Sequence, residues 1–137
     1  MTVEELRERL FSTLLRRPST SRQAREFLER THAPDEVIDA LINEAEGMGL
    51  VDDGAFARLF AEGHLQWGNL KIAHELSARG VSRTEIEEAL DEIEDEGERA
   101  RGLAESWRRS GVEERKITSR LMSRGFTSRA VRSAMKK

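Results

Sequence analysis

The sequence predicts an all-α fold, built from three tandem three-helix (helix-turn-helix-like) repeats that form an elongated and curved molecule. Three observations support this prediction. First, the chain contains an internal repeat, because residues 74–90 (HELSARGVSRTEIEEAL) are echoed by residues 117–135 (ITSRLMSRGFTSRAVRSAM). Second, apolar residues recur at spacings of three and four along most of the chain, which is typical of amphipathic helices. Third, no segment shows the alternation of apolar and polar residues that indicates a strand.

The repeat predicts a helix, a glycine stop, a capped restart and a second helix. Gly80 stands where the first helix must end in a left-handed backbone conformation, which glycine adopts without steric cost. Ser82 is the expected cap of the next helix, with Glu85 as its capping-box partner. Gly125 and Thr127 take the same two positions in the last copy. A fainter first copy has matching residues at Phe27, Arg30, Val37, Ala40 and Leu41, with Thr31 in place of the glycine, so its turn must close differently.

We place the first unit at residues 1–51. Thr2 is the expected cap of helix one, whose apolar stripe consists of Val3, Leu6, Leu10 and Leu14. Helix two is predicted at 21–30 and helix three at 34–48, with Pro34 as the first helical residue and Gly49 after the last. The buried residues expected in helix three are Val37, Ile38, Leu41, Ile42 and Ala45.

We place the second unit at residues 52–97 and the third at 98–137. Asp52 and Asp53 are expected to cap helix four, and Gly68 to end it before the repeat that forms helices five and six. Gly97 is the predicted joint to helix seven, and helices eight and nine form the last copy of the repeat. The apolar residues assigned to helix four are Phe56, Leu59, Phe60, Leu65 and Trp67.

The charge distribution indicates a polyanionic or acidic partner. The net charge of the chain is only −3, but residues 84–98 contain nine acids and no base. Residues 99–137 contain twelve bases against three acids, an excess of nine positive charges. The candidate partner- or DNA-binding residues lie in this basic segment: Arg108, Arg109, Arg115, Lys116, Arg120, Arg124, Arg129 and Arg132. The acidic run has two interpretations, a solvated helix face or a surface that repels phosphates or meets a basic protein.

Other patterns argue against an enzyme and against a cofactor or metal. The chain has no cysteine and no glycine-rich phosphate loop, and its histidines (His32, His64 and His74) lack the spacing of metal ligands. Trp67 and Trp107 lie on apolar stripes, which favours a core role over stacking on bases. The N-terminus carries too many charges for a secretory signal, and the longest uncharged run has eight residues, far short of a membrane span. We therefore expect a cytoplasmic monomer with no membrane partner.

Several motifs together resemble the RecX family, whose members regulate the bacterial recombinase RecA. They are the run GLVDD at 49–53 with Phe56-Ala57, then Gly68, Ile72, Glu75-Leu76, Arg79-Gly80-Val81, Ile86, Ala89-Leu90, and Arg124-Gly125-Phe126. The resemblance implies an array of three-helix units that binds in the groove of the RecA–ssDNA filament. It also implies inhibition of filament growth, strand exchange and ATPase, and thus a role in DNA repair, recombination and the SOS response, with DNA as a secondary partner.

A stand-alone helix-turn-helix DNA-binding protein that uses the basic C-terminal unit is the alternative. Such a protein needs one recognition helix and usually a dimer, whereas three concatenated units suit a long periodic surface. The repeat therefore favours the filament regulator.

Overall fold

The computed structural model describes residues 1–136, and the fold of this range is all-α, as predicted. It contains nine helices and no strand within the described range: α1 (Val3–Arg16), α2 (Ser21–Glu29), α3 (Asp35–Gly47), α4 (Asp53–Glu62), α5 (Asn69–Ala78), α6 (Arg83–Glu92), α7 (Glu96–Arg109), α8 (Glu114–Ser123) and α9 (Ser128–Met135). Among these helices none has the length and apolar content needed to cross a bilayer. Lys137, which belongs to the predicted third unit, lies outside the described residues.

Three separate apolar clusters organise the chain, and each is supplied by three consecutive helices. Leu10, Leu28 and Leu41 are central to the first cluster, built from α1–α3. Ala57, Ile72 and Leu76 belong to the second, built from α4–α6. Ala104, Ile117 and Leu121 belong to the third, built from α7–α9. This grouping confirms the tandem three-helix architecture. The unit boundaries 1–51, 52–97 and 98–137 remain our proposal for dividing the chain.

The molecule is elongated, because it exposes more surface than a compact protein of its mass. Its accessible surface is 8616 Å². A compact monomer of 15.6 kDa would expose roughly 7,200 Å². Each unit contributes a small core, and the additional surface follows from placing these cores in a row.

The helix stops and the two hydroxyl caps of the repeat form as predicted, but the capping box does not, because the Glu85 carboxylate accepts from the Ser82 hydroxyl at 2.9 Å and not from the Ser82 backbone N–H. Gly80 and Gly125 have φ of 91° and 85°, in the left-handed region where a side chain would be strained. Ser82 Oγ accepts the Glu85 backbone N–H at 3.2 Å, and Thr127 Oγ1 accepts that of Ala130 at 3.2 Å. Each hydroxyl thereby satisfies a backbone donor that the first turn of a helix leaves free.

The predicted alignment of the first copy is wrong by one residue. Leu28 is fully buried at the position of Leu76, whereas Phe27 is only partly buried. His32, with φ of 62°, takes the left-handed position of Gly80. Thr31 instead closes the turn with its hydroxyl, which donates to the Leu28 carbonyl at 2.5 Å. The first unit therefore does close its turn differently, but with a histidine in the strained conformation.

Smaller corrections concern helix ends and stripes. Pro34 is the N-cap of α3 and not its first helical residue. Leu65 and Trp67 follow the end of α4, and Leu59 is 64% exposed, so the apolar stripe of α4 is narrower than predicted. Val3 is likewise exposed. Gly97 lies in the first turn of α7, because Asp95 caps that helix by accepting the Glu98 N–H at 3.2 Å.

The first joint connects units one and two through the N-terminus of α2. Thr20 is fully buried, and its hydroxyl donates to the Arg79 carbonyl at 2.5 Å. The Ser21 N–H and hydroxyl both donate to the Asp53 carboxylate, at 2.8 and 2.7 Å. A Cβ on Gly80 would lie 2.6 Å from Cβ of Arg22, so the helix end fits closely against the glycine turn.

The second joint, between units two and three, repeats this arrangement with the N-terminus of α5. The Gly68 N–H donates to the Arg124 carbonyl at 2.8 Å, and the Leu70 N–H donates to the Gly125 carbonyl at 3.0 Å. The Asn69 N–H donates to the Glu96 carboxylate at 2.8 Å, as Ser21 does to Asp53. In both joints, therefore, the middle helix of one unit begins against the arginine–glycine turn of the following unit. The same packing rule, applied twice, produces the row of units.

Arg99 of unit three stabilises the second joint through hydrogen bonds to backbone carbonyls of unit two. Its side chain is buried, and it donates to the carbonyls of Trp67 at 2.6 Å and Leu65 at 3.3 Å. It also donates to the Asn69 side-chain oxygen, and to the Glu94 carbonyl at 2.8 Å. Burial lowers the pKa of the Arg99 guanidinium from its ordinary value, against the opposing effect of nearby carboxylates. This base of the C-terminal segment therefore holds the array together and is not available to a partner.

Candidate functional site

Seven of the eight predicted binding residues form no ion pair within the part of the chain that the structure describes. The exception is Arg108, whose Nε donates to both Glu114 oxygens at 3.0 and 2.9 Å and whose Nη2 donates to the Ala134 carbonyl. The hydrogen bond to Glu114 raises the Arg108 pKa. Arg108 thus connects α7 to α8 and α9, and the prediction that it contacts a partner has no support from its position.

The remaining basic residues are mostly exposed, but they do not form one patch. Arg109 ends α7, and Arg115 and Lys116 lie in the first turn of α8, on both sides of the loop between these helices. Arg129 lines a cleft of about 710 Å³ between units two and three, together with Asp91, Asp95 and Glu96. Arg132 lies one turn further along α9 and is exposed.

Arg120 and Arg124 form the most organised part of the predicted set. Arg120 lies in the last turn of α8 and Arg124, four residues on, is its C-cap, so both side chains project toward α7. Their guanidinium carbons lie 5.4 and 5.1 Å from the centre of the half-buried Trp107 ring. At these distances the cations are attracted by the electron-rich face of the indole.

This arginine–tryptophan cluster continues across the second joint into unit two. Arg124 Nη1 donates to Oε1 of Gln66 at 3.4 Å. Next to Gln66, the half-buried Trp67 has the Lys71 ammonium 4.3 Å from its ring centre. The His64 ring lies 4.1 Å from Trp67, and its Nδ1 is 2.7 Å from the Phe60 carbonyl. The surface at the second joint therefore presents two tryptophans, each accompanied by cations.

Sequence reasoning missed the unit-two part of this surface. Lys71 and Gln66 lie in a segment of mixed composition with no charge excess, so they gave no signal on that criterion. The preference for Trp67 and Trp107 as core residues is correct in part, since both pack against apolar clusters while remaining partly exposed. A search for tryptophans with a cation four residues away in sequence would have found Trp67.

The structure also reduces the positive charge that is available in the last unit. Arg99 is buried, Arg101 pairs with Glu98 at 2.7 Å, and Arg108 pairs with Glu114. In the acidic run, Glu96 accepts hydrogen bonds from Asn69 and from the Thr127 hydroxyl at 2.8 Å, so it serves the second joint. Neither interpretation of the acidic run anticipated this structural role. Among residues 1–136, no cluster of His, Asp and Glu side chains is arranged to hold a metal ion.

Comparison with known proteins finds relatives that the chain matches over most of their length. The chain is 34% identical to the regulatory protein RecX of Halorhodospira halophila, over 96% of this chain and 86% of that protein. It is 31% identical to the regulatory protein RecX of Streptomyces coelicolor, over 97% and 79% respectively. The chain belongs to the RecX family. The resemblance seen in the sequence motifs is thereby confirmed.

Two further comparisons agree with a RecX fold. Residues 52–90 match the family model of the second three-helix domain of RecX. The crystal structure of RecX from Lactobacillus salivarius superimposes with a TM-score of 0.86, at 20% identity, over 97% of this chain and 94% of that one. A second crystal structure of a regulatory protein RecX gives a TM-score of 0.80, over 98% and 73%. The all-α architecture of this RecX chain is thus the one found in solved structures.

Proposed function

We propose that this RecX chain regulates the RecA recombinase by binding in the groove of the RecA–ssDNA filament. Bound there, it inhibits filament growth, strand exchange and ATPase activity, and so modulates DNA repair and recombination. It acts as a cytoplasmic monomer, is not an enzyme, and contacts single- or double-stranded DNA secondarily. Family membership supports the regulatory role, and the geometry of the array supports the mode of binding.

One observation carries the binding mode: most of the cations that form no ion pair within the described residues lie in the third unit, at one end of an elongated row of units. A filament presents the same surface at regular intervals along a groove, and a row of similar units can follow such a surface. Partly buried hydrogen bonds cross each of the two joints and hold neighbouring units in a fixed arrangement. Exposed cations at the third unit would anchor this row on acidic or phosphate groups of the filament.

Charge reversal in the third unit tests the proposal. The variant Arg120→Glu/Arg124→Glu/Arg129→Glu/Arg132→Glu is added to RecA filaments on single-stranded DNA, scored by ATPase and by electron microscopy. We expect inhibition to be lost while the helical content is retained, because none of the four side chains is an apolar core residue. Inhibition by the unaltered chain should weaken with salt, because ions screen exposed charges over about 8–10 Å.

The matched control reverses charges at Glu87, Glu88 and Glu94, which are exposed in the acidic run. This control should inhibit like the unaltered chain. If the folded quadruple variant inhibited at the same concentration as the unaltered chain, the filament contact would lie on units one and two. Tight binding to duplex DNA without any effect on the recombinase would favour the stand-alone DNA-binding alternative.

A further inference from the structure

The two tryptophans of this chain lie on opposite sides of the second joint, and each has cations on its ring. Trp67 carries Lys71 at 4.3 Å, and Trp107 carries Arg120 and Arg124 at 5.4 and 5.1 Å. The Arg124–Gln66 hydrogen bond connects the two groups. The surface therefore continues from one unit to the next, and it combines ring faces with positive charge throughout.

These three cations differ from the structural arginines of the chain. Arg79, at the repeat position of Arg124, lies 4.9 Å from the Phe60 ring and also 3.8 Å from the Glu75 carboxylate. Lys71, Arg120 and Arg124 form no such ion pair within residues 1–136. Contacts between a cation and a ring are weak at exposed sites, so a ligand can displace them easily. The charges of the three side chains are therefore available to a ligand, and so are the ring surfaces that they cover.

We propose that Trp67 and Trp107, with Lys71, Arg120 and Arg124, form a stacking site for unpaired bases of single-stranded nucleic acid. A base would stack on each indole, and the displaced cation would move to the adjacent phosphate. This pairing of aromatic faces with a basic track is how proteins hold single strands without reading their sequence. The inference deepens the proposed function, on which it rests for its biological setting, because it assigns the secondary DNA contact to particular side chains.

The aromatic rings favour a single strand over the other anionic partners. In a duplex the faces of the bases are covered by their neighbours, so indoles on a protein surface have no base face to contact. An acidic peptide would satisfy Lys71, Arg120 and Arg124, but it offers no planar group to the tryptophans. Only an unpaired strand uses both halves of the site.

Intrinsic fluorescence provides a direct test, because the chain has two tryptophans and no tyrosine. The full chain is titrated with a twenty-residue oligodeoxythymidylate, and the same titration is run with an abasic strand of equal length. We expect quenching by the thymidine strand and affinity lower by about 5- to 100-fold for the abasic strand, since each stacked base contributes substantially to binding. Oligouridylate is titrated in parallel. Base-dependent binding of either strand supports the proposal, and the strand that binds more tightly shows whether the natural ligand is DNA or RNA.

Variants then locate the site. Trp107→Leu and Trp67→Leu should each weaken thymidine-strand binding, measured by anisotropy of a labelled strand, while Trp107→Phe should restore most of it. Phe27→Leu, a partly buried aromatic of unit one, is the matched control and should bind normally. The combined Lys71→Gln/Arg120→Gln/Arg124→Gln variant leaves the apolar cores untouched and tests the site where a tryptophan variant fails to fold. It should also weaken binding.

Polyglutamate, an acidic chain without bases, is titrated as a further comparison. The inference would be overturned if the abasic strand bound as tightly as the thymidine strand, or if polyglutamate quenched the fluorescence equally. It would also be overturned if the folded Trp→Leu and cation variants bound the thymidine strand like the unaltered chain. These measurements contain no recombinase, so they are independent of the filament assay. Base-dependent binding without filament inhibition would leave the site standing and overturn the proposed function. Filament inhibition without base-dependent binding would do the reverse.

Discussion

A single added carbon at Gly68 should disrupt the second joint. A Cβ built there would lie 2.1 Å from the backbone nitrogen of Phe126 and 2.2 Å from the carbonyl oxygen of Gly125. Both atoms belong to the backbone of the turn between α8 and α9, so no side-chain rotation can relieve the overlap. The φ and ψ of Gly68, −78° and 167°, are accessible to alanine, so the entire cost arises from this contact.

The size of the effect follows from what the turn must give up. It has to move by more than about 1 Å to reach an ordinary van der Waals distance. This stretches the Gly68–Arg124 and Leu70–Gly125 hydrogen bonds, now 2.8 and 3.0 Å, each contributing about 0.5–1.5 kcal/mol. Loosened contacts of Arg99 add to this loss. Alanine also restricts the unfolded chain more than glycine does, which offsets the loss of folding stability by about 0.4–1 kcal/mol. We expect Gly68→Ala to destabilise the chain by about 2–4 kcal/mol.

Urea denaturation followed by circular dichroism measures this loss. Gly102→Ala is the matched control, since Gly102 lies within α7 and a Cβ there has no neighbour within 4 Å. Alanine favours a helix interior over glycine, so this control should gain about 0.5–1 kcal/mol. Equal midpoints for the two variants would show that units two and three are not held at the distance described here.

The remaining predictions concern the cores and the buried arginine. Leu76→Ala and Leu121→Ala should each cost about 2–5 kcal/mol, because both side chains are fully buried at equivalent positions; a loss below about 1 kcal/mol in urea denaturation would contradict this. Arg99→Met should cost about 2–4 kcal/mol, because it removes the donor to the partly buried carbonyls of Leu65 and Trp67 and the other hydrogen bonds of the buried guanidinium; small-angle scattering of the variant should also show altered spacing between units. A chain with unchanged stability and scattering would mean that Arg99 does not support the joint.

The parts of the fold that the sequence predicted are those determined by short-range chemistry. The Gly80 and Gly125 stops, the Ser82 and Thr127 caps, and the buried Leu76 all depend on residues within a few positions of each other. Such signals recur in the repeat and reinforce one another. The three-unit architecture was therefore predictable from these local patterns.

The joints and the candidate site depend on contacts between distant residues, which leave no local pattern. Arg99 has the composition of a surface residue, yet its partners at Leu65 and Trp67 bury it. Likewise, charge counting grouped Arg108 with Arg124, although only Arg108 has an acidic partner on the next helix. The count measures the charge of a segment, whereas binding depends on which charges remain free after folding.

In the turn of the first unit, the sequence alignment and the structure assign the left-handed position to different residues, and mutation can test which is correct. The alignment puts Thr31 at the glycine position, whereas the structure gives the left-handed conformation to the exposed His32, with φ of 62°. His32→Gly should therefore stabilise the chain by about 0.5–1 kcal/mol, because a non-glycine residue is strained there. Thr31→Gly should instead cost about 1 kcal/mol, because it removes the hydroxyl that donates to the Leu28 carbonyl and adds unfolded-state entropy. Thermal melting of the two variants decides between them, and a more stable Thr31→Gly protein would show that the alignment had the correct register.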